Sequence, residues 1–136
     1  MKWKDEDLPA LQELESAVLG FWRRQPELTN YVALRAYEAA YQHYRDRARG
    51  HDPKPVALSG SDLELFHTIQ PVCEKLLSTG AAPMRGMSAG NTAPISVEKL
   101  AQYLRELHRS VERHTELGGR RGYFDFLEQF IPRSTS

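Results

Sequence analysis

Ser96-Val97-Glu98-Lys99-Leu100-Ala101-Gln102-Tyr103-Leu104-Arg105-Glu106-Leu107-His108-Arg109-Ser110-Val111-Glu112-Arg113 is the stretch whose periodicity decides the fold class. Val97, Leu100, Leu104, Leu107 and Val111 recur at steps of three and four, which gathers them on one face of an α-helix and leaves charged residues on the rest. Held for about two heptads, that narrow stripe is a seam for another helix. Ser96 stands where its hydroxyl can cap the first turn, and Gly118-Gly119 stops the pattern.

The same rhythm recurs upstream. Leu8, Leu11, Leu14, Val18, Phe21 and Trp22 predict a helix from about Leu8 to Arg24, opened by Pro9 and the acidic run Asp5 to Asp7. A second helix, capped by Thr29 or Asn30 and running to about Arg49, carries Tyr31, Leu34, Tyr37, Tyr41 and Tyr44, with Ala33, Ala36, Ala39 and Ala40 allowing close approach. His51-Asp52-Pro53-Lys54-Pro55 is a stiff connector. A third helix starts at Ser61-Asp62-Leu63-Glu64, which has the form of a capping box, and buries Leu63, Phe66, Ile69, Cys73, Leu76 and Leu77. Pro71 inside it predicts a kink. Residues 80–96 are rich in Gly, Ala, Ser, Pro and Met and form a long loop. Beyond Gly122, Tyr123, Phe124, Phe126, Leu127, Phe130 and Ile131 make a short aromatic helix that must dock to be stable. No alternating run argues for a strand.

The expected fold is therefore all-α, a compact bundle of about five helices in one domain spanning residues 1–136. It comprises a three-helix part at about 8–79, the loop at 80–96 and a two-helix part at about 97–131. A chain of 136 residues with 40% hydrophobic and 26% charged residues can bury a real core and is neither disordered nor membrane-spanning in composition. The charged N-terminal run and the lone Cys73, read as an inert core thiol, place it in the cytoplasm. Equal numbers of basic and acidic residues, 18 of each, remove any general attraction to nucleic acid or anionic lipid, so such binding would need a local patch.

Motifs that would name a chemistry are missing from the expected pattern. The five histidines, His43, His51, His67, His108 and His114, include no pair one helical turn apart, so neither a metal nor another cofactor is expected. Ser59-Gly60-Ser61 reads as a turn and cap, and Met84-Arg85-Gly86-Met87-Ser88-Ala89-Gly90-Asn91 lacks phosphate-loop spacing. An enzyme would need a pocket gathering His43 or His67 with a carboxylate.

Three surfaces are left as candidates. Tyr37, Tyr41 and Tyr44 could stack on a ligand, although aromatic residues at helical spacing are more often core, where each hydroxyl needs a partner. Arg105, Arg109 and Arg113, with Arg120 and Arg121 just beyond, could bind an anion, although Glu106, Glu112 and Glu116 at i,i+3 spacing fit a solvated face. Tyr123, Phe126 and Phe130 could dock on their own domain or on a second subunit.

The run from Ser96 through Arg113 to Gly118-Gly119-Arg120-Arg121-Gly122-Tyr123, with Phe126 and Phe130-Ile131, resembles the C-terminal part of small bacterial all-helical proteins without an assigned activity. The resemblance extends to the stretch from Leu28 to Cys73 and brings no role for any residue. The expectation is a non-catalytic interaction or assembly module, a homodimer or the partner of another protein, with no membrane partner. The alternative is a regulatory protein that binds a small ligand or nucleic acid through the tyrosine stripe and arginine flank. A small enzyme ranks third.

Overall fold

The seam on the helix after Ser96 is filled from within the chain. In the computed structural model, which describes residues 7–81 and 94–130, Leu100, Leu104, Leu107 and Val111 are all buried. They lie on α4 (Val97–Gly118), which runs along α2 (Asn30–Ala48) in the most extensive pairing of the fold. The Ser96 hydroxyl caps α4, accepting from the Lys99 amide at 3.1 Å. Two further long helices, α1 (Leu8–Arg24) and α3 (Ser61–Thr79), pack on each other, and α3 also packs on α2.

The protein is all-α, with no strand among the described residues. Four long helices build the bundle, and the expected fifth is a nine-residue return, α5 (Gly122–Phe130). It is reached from α4 through the 3-10 turn Gly119–Arg121. A single hydrophobic cluster draws residues from every one of these helices. Ala33, Ala36 and Ala40 are wholly buried on α2, where their small side chains let neighbouring backbones approach. Among the described residues no helix is long and apolar enough to cross a membrane.

The start of α3 departs from the sequence reading. Gly60, not Ser61, occupies the capping position, and Ser61 is already helical and makes no side-chain cap. The buried face then takes Leu65 in place of Leu63, alongside Phe66, Ile69, Cys73 and Leu76. The helix continues through Pro71, which is exposed, to Thr79. Burial pushes the Cys73 thiol well above its usual range, as an inert core thiol requires. Of the expected loop, residues 82–93 lie outside the described residues. Its two ends meet, because the amides of Gly80 and Ile95 both donate to the Leu76 carbonyl, each at 3.1 Å.

The corner between α4 and α5 is held by one side chain. Asn30 does not cap its own helix. Its Nδ2 donates to the Gly119 carbonyl at 2.6 Å, and its Oδ1 accepts from the Tyr123 amide at 3.1 Å. Gly119 has φ +73° and ψ −158°, a region that essentially only glycine occupies. Gly122 abuts the His114 carbonyl so closely that a β-carbon would collide with it. The corner therefore needs a glycine at both places and a bidentate amide between them.

Asn30→Ala leaves the buried Tyr123 amide unpaired and takes one of two donors from the Gly119 carbonyl, which keeps the Gly122 amide, for an expected loss of about 1–3 kcal/mol. Gly122→Ala forces backbone apart, for about 1–3 kcal/mol. Urea denaturation with linear extrapolation measures both, and unchanged midpoints would show that the corner tolerates slack.

Candidate functional site

The structure divides the sequence candidates between the interior and the surface. Tyr37, Tyr44 and Tyr123 are completely buried, Tyr41 is half-buried, and Tyr31 is 46% exposed. The stripe divides because Tyr37 and Tyr44, two turns apart, point into the core, while Tyr41 lies toward its flank. The aromatic tail docks on its own chain: Phe124 stacks on Trp22 at 5.3 Å between ring centroids, and Phe126 on His114 at 4.1 Å. Phe130 ends α5, and its side chain lies outside what is described. Arg105, Arg109, Arg113, Arg120 and Arg121 are all exposed but do not form one patch. Arg121 covers the face of Trp22, its guanidinium carbon 5.1 Å from the ring centroid, whereas Arg105 and Arg109 face α2.

Each buried tyrosine has the polar partner that burial demands. The Tyr44 hydroxyl donates to Glu74, which also receives Arg47 at 2.7 Å. Tyr103 donates to Asp7 at 2.6 Å. Tyr37 and Tyr123 meet hydroxyl to hydroxyl at 3.0 Å, and Tyr123 donates on to Glu15 at 3.3 Å. Sequence reasoning missed Glu15 and Asn30, polar residues that fall among the apolar residues of their helices. Burial pushes the Glu15 carboxyl up to about 7, against a smaller lowering by the Tyr123 hydrogen bond. It accepts from Tyr123, which in turn meets Tyr37 inside the bundle, and this makes it a packing element that titrates.

The surface holds a groove between α2 and α4. One cavity of about 240 Å³ is lined by Tyr41 and Arg45 from α2, by Arg49 just past its end, and by Glu98, Gln102 and Arg105 from α4. The Arg45 guanidinium lies over the Tyr41 ring, 5.5 Å from its centroid. Three arginines therefore face one carboxylate. The next cavity along, of about 200 Å³, shares Tyr41 and Arg105 but is closer to neutral. There Arg109 pairs with Glu106 at 3.2 Å, and His108 pairs with Glu112 at 3.3 Å. Among the described residues, Arg49 and Arg105 have no carboxylate within ion-pair distance, and the Arg45 Nε is buried without an acceptor, although its Nη2 pairs with Asp46 at 3.4 Å. A buried donor left unpaired is costly, and an incoming anion would satisfy it.

On the other flank of α2 lies a cavity of about 300 Å³, walled by Gln42, His43 and Asp46 from the helix and by Lys54, Val56 and Ala57 from the connector. Burial and the neighbouring Arg47 push His43 below its usual range, so the ring is neutral at pH 7. This brings a histidine beside a carboxylate, yet no serine, threonine, cysteine or tyrosine lines the cavity to act as a nucleophile. No cluster of three or more metal-ligating side chains occurs among the described residues. No family model, curated protein or solved structure matches this chain.

The raised Glu15 value fixes the sign of a pH dependence. Below the ordinary carboxyl value of 4.5 both folded and unfolded states hold the proton. From there to about pH 7 only the folded state does, so stability falls as pH rises, by about 3 kcal/mol in all. Glu15→Gln should remove this slope and be more stable than wild type at pH 8. Urea midpoints from pH 4 to 8 test it, and parallel curves for the two proteins would rule out the linkage.

Proposed function

We propose that this protein is a non-catalytic binder of small phosphate-bearing anions, held in the groove between α2 and α4. The observation that carries this reading is the convergence of Arg45, Arg49 and Arg105 on one cavity opposite the single carboxylate of Glu98. Arginine offers a planar fork of donors that matches phosphate oxygens, and a groove that shields the contact strengthens it. The zero net charge and the pairing of Arg109 with Glu106 favour a small ligand over a nucleic-acid strand.

The expectation of an assembly module rested on the α4 seam and the aromatic tail. The seam, and Tyr123, Phe124 and Leu127 of the tail, are spent inside this chain. Among the described residues the exposed large apolar side chains are Tyr31 and Leu117, which supports ligand binding over homodimerisation. Cys73, buried and unpaired, suits a cytoplasmic setting.

Pyrophosphate is the test probe. Calorimetric titration at low salt should show binding that weakens as salt rises, with Arg105→Ala and Arg49→Ala each costing about tenfold in affinity. Arg113→Ala, outside the groove lining, should change little. No heat or chemical-shift change at millimolar pyrophosphate, or equal effects from all three variants, would sink the proposal.

A further inference from the structure

We infer that the anion bound in this groove is one end of a larger molecule, a phosphate ester of a flat ring bearing N–H groups, as in a mononucleotide. The ring would lie in the cavity on the far flank of α2. This inference rests on the proposed function and adds a second site to it.

Geometry joins the two cavities. Arg45 lines both, so the groove and the pocket under the connector meet at this side chain. Arg45 is also the residue whose Nε is buried without an acceptor, while its Nη2 pairs with Asp46 at 3.4 Å, so the shared wall keeps one unfilled donor. The pocket measures about 300 Å³. That is the lower end of the range for small-molecule sites, about 300–1,000 Å³, and is room for one small ring system.

Polarity sets the direction. In the groove three arginines face one carboxylate, which favours phosphate. In the pocket Asp46, paired with Arg45 at 3.4 Å, leaves Lys54 as the smaller positive excess, and the Asp46 carboxylate accepts hydrogen bonds and repels an anion, so the uncharged end belongs there. Gln42 offers both a donor and an acceptor, and Val56 and Ala57 supply an apolar wall. His43 is held from behind by edge contacts to Tyr44 at 4.7 Å and Phe66 at 6.4 Å, so its neutral ring is a fixed aromatic element of the pocket.

The experiment compares adenosine monophosphate with inorganic phosphate, on the wild-type chain and on Ala57→Trp. Ala57 is exposed on the connector, so the large side chain can fill the pocket without entering the core. Adenosine monophosphate should bind at least tenfold more tightly than phosphate. Ala57→Trp should abolish that advantage while leaving phosphate affinity intact, and Arg105→Ala should weaken both probes. The His43 ring resonances should shift with adenosine monophosphate and not with phosphate. Phosphate binding that depends on Arg105, with no advantage for the nucleotide or none lost in Ala57→Trp, overturns the second site and leaves the anion groove standing. Absence of binding by either probe overturns both.

Discussion

The side-chain amide of Asn30 completes a corner that the backbone closes only in part, since the Gly122 amide reaches the Gly119 carbonyl but the Tyr123 amide turns to Asn30. Where α4 ends the chain is exposed, but α5 begins buried, and an unpaired amide there would cost about 1–3 kcal/mol. Asn30 reaches across from the start of α2 to the Gly119 carbonyl and the Tyr123 amide. With the corner fixed, Tyr123 is delivered to Tyr37 and Glu15, Phe124 lies flat on Trp22, and the bidentate pair of Arg23 with Glu128 ties α5 to α1. The short return would have no hold of its own without these contacts, since nine residues are too few to be helical alone.

Much of the fold was legible in local pattern. The α4 seam, the first two helices and the Ser96 cap depend on spacing within one segment, and the structure places them where the spacing did. What the pattern could not supply was any partner far along the chain. The capping-box reading of Ser61 and Glu64 was locally sound, but Gly60 takes up the cap with φ +63°, and the buried face turns to admit Leu65. Asn30 looked like a cap, and nothing in its helix marked Glu15. Their roles depend on groups 89 to 108 positions away, which no local periodicity encodes.

The candidate site was legible only in halves. Tyr41 and Arg105 sat on separate lists, one aromatic and one basic, and nothing in either helix alone puts them side by side. The pairing of α2 with α4 does so. It also sorts the arginines: Arg109 is neutralised within its own helix, Arg121 covers a tryptophan, and Arg49, just past the end of α2, joins the groove. The tyrosines are sorted by depth in the same way, since a hydroxyl that finds Glu15 or Glu74 inside is no longer available outside.

The shared acceptor at Leu76 bears on how this chain tolerates change. Because the amides of Gly80 and Ile95 converge on that one carbonyl, the backbone leaves α3 and comes back at nearly the same point. The number of residues spent in between is thereby decoupled from the packing of α3 and α4. Closing a longer connection between ends already held together costs only about 0.6 kcal/mol for each doubling of its length. The connection between Gly80 and Ile95 is thus the place for evolution or an engineer to splice in a foreign peptide with the four long helices left as they are.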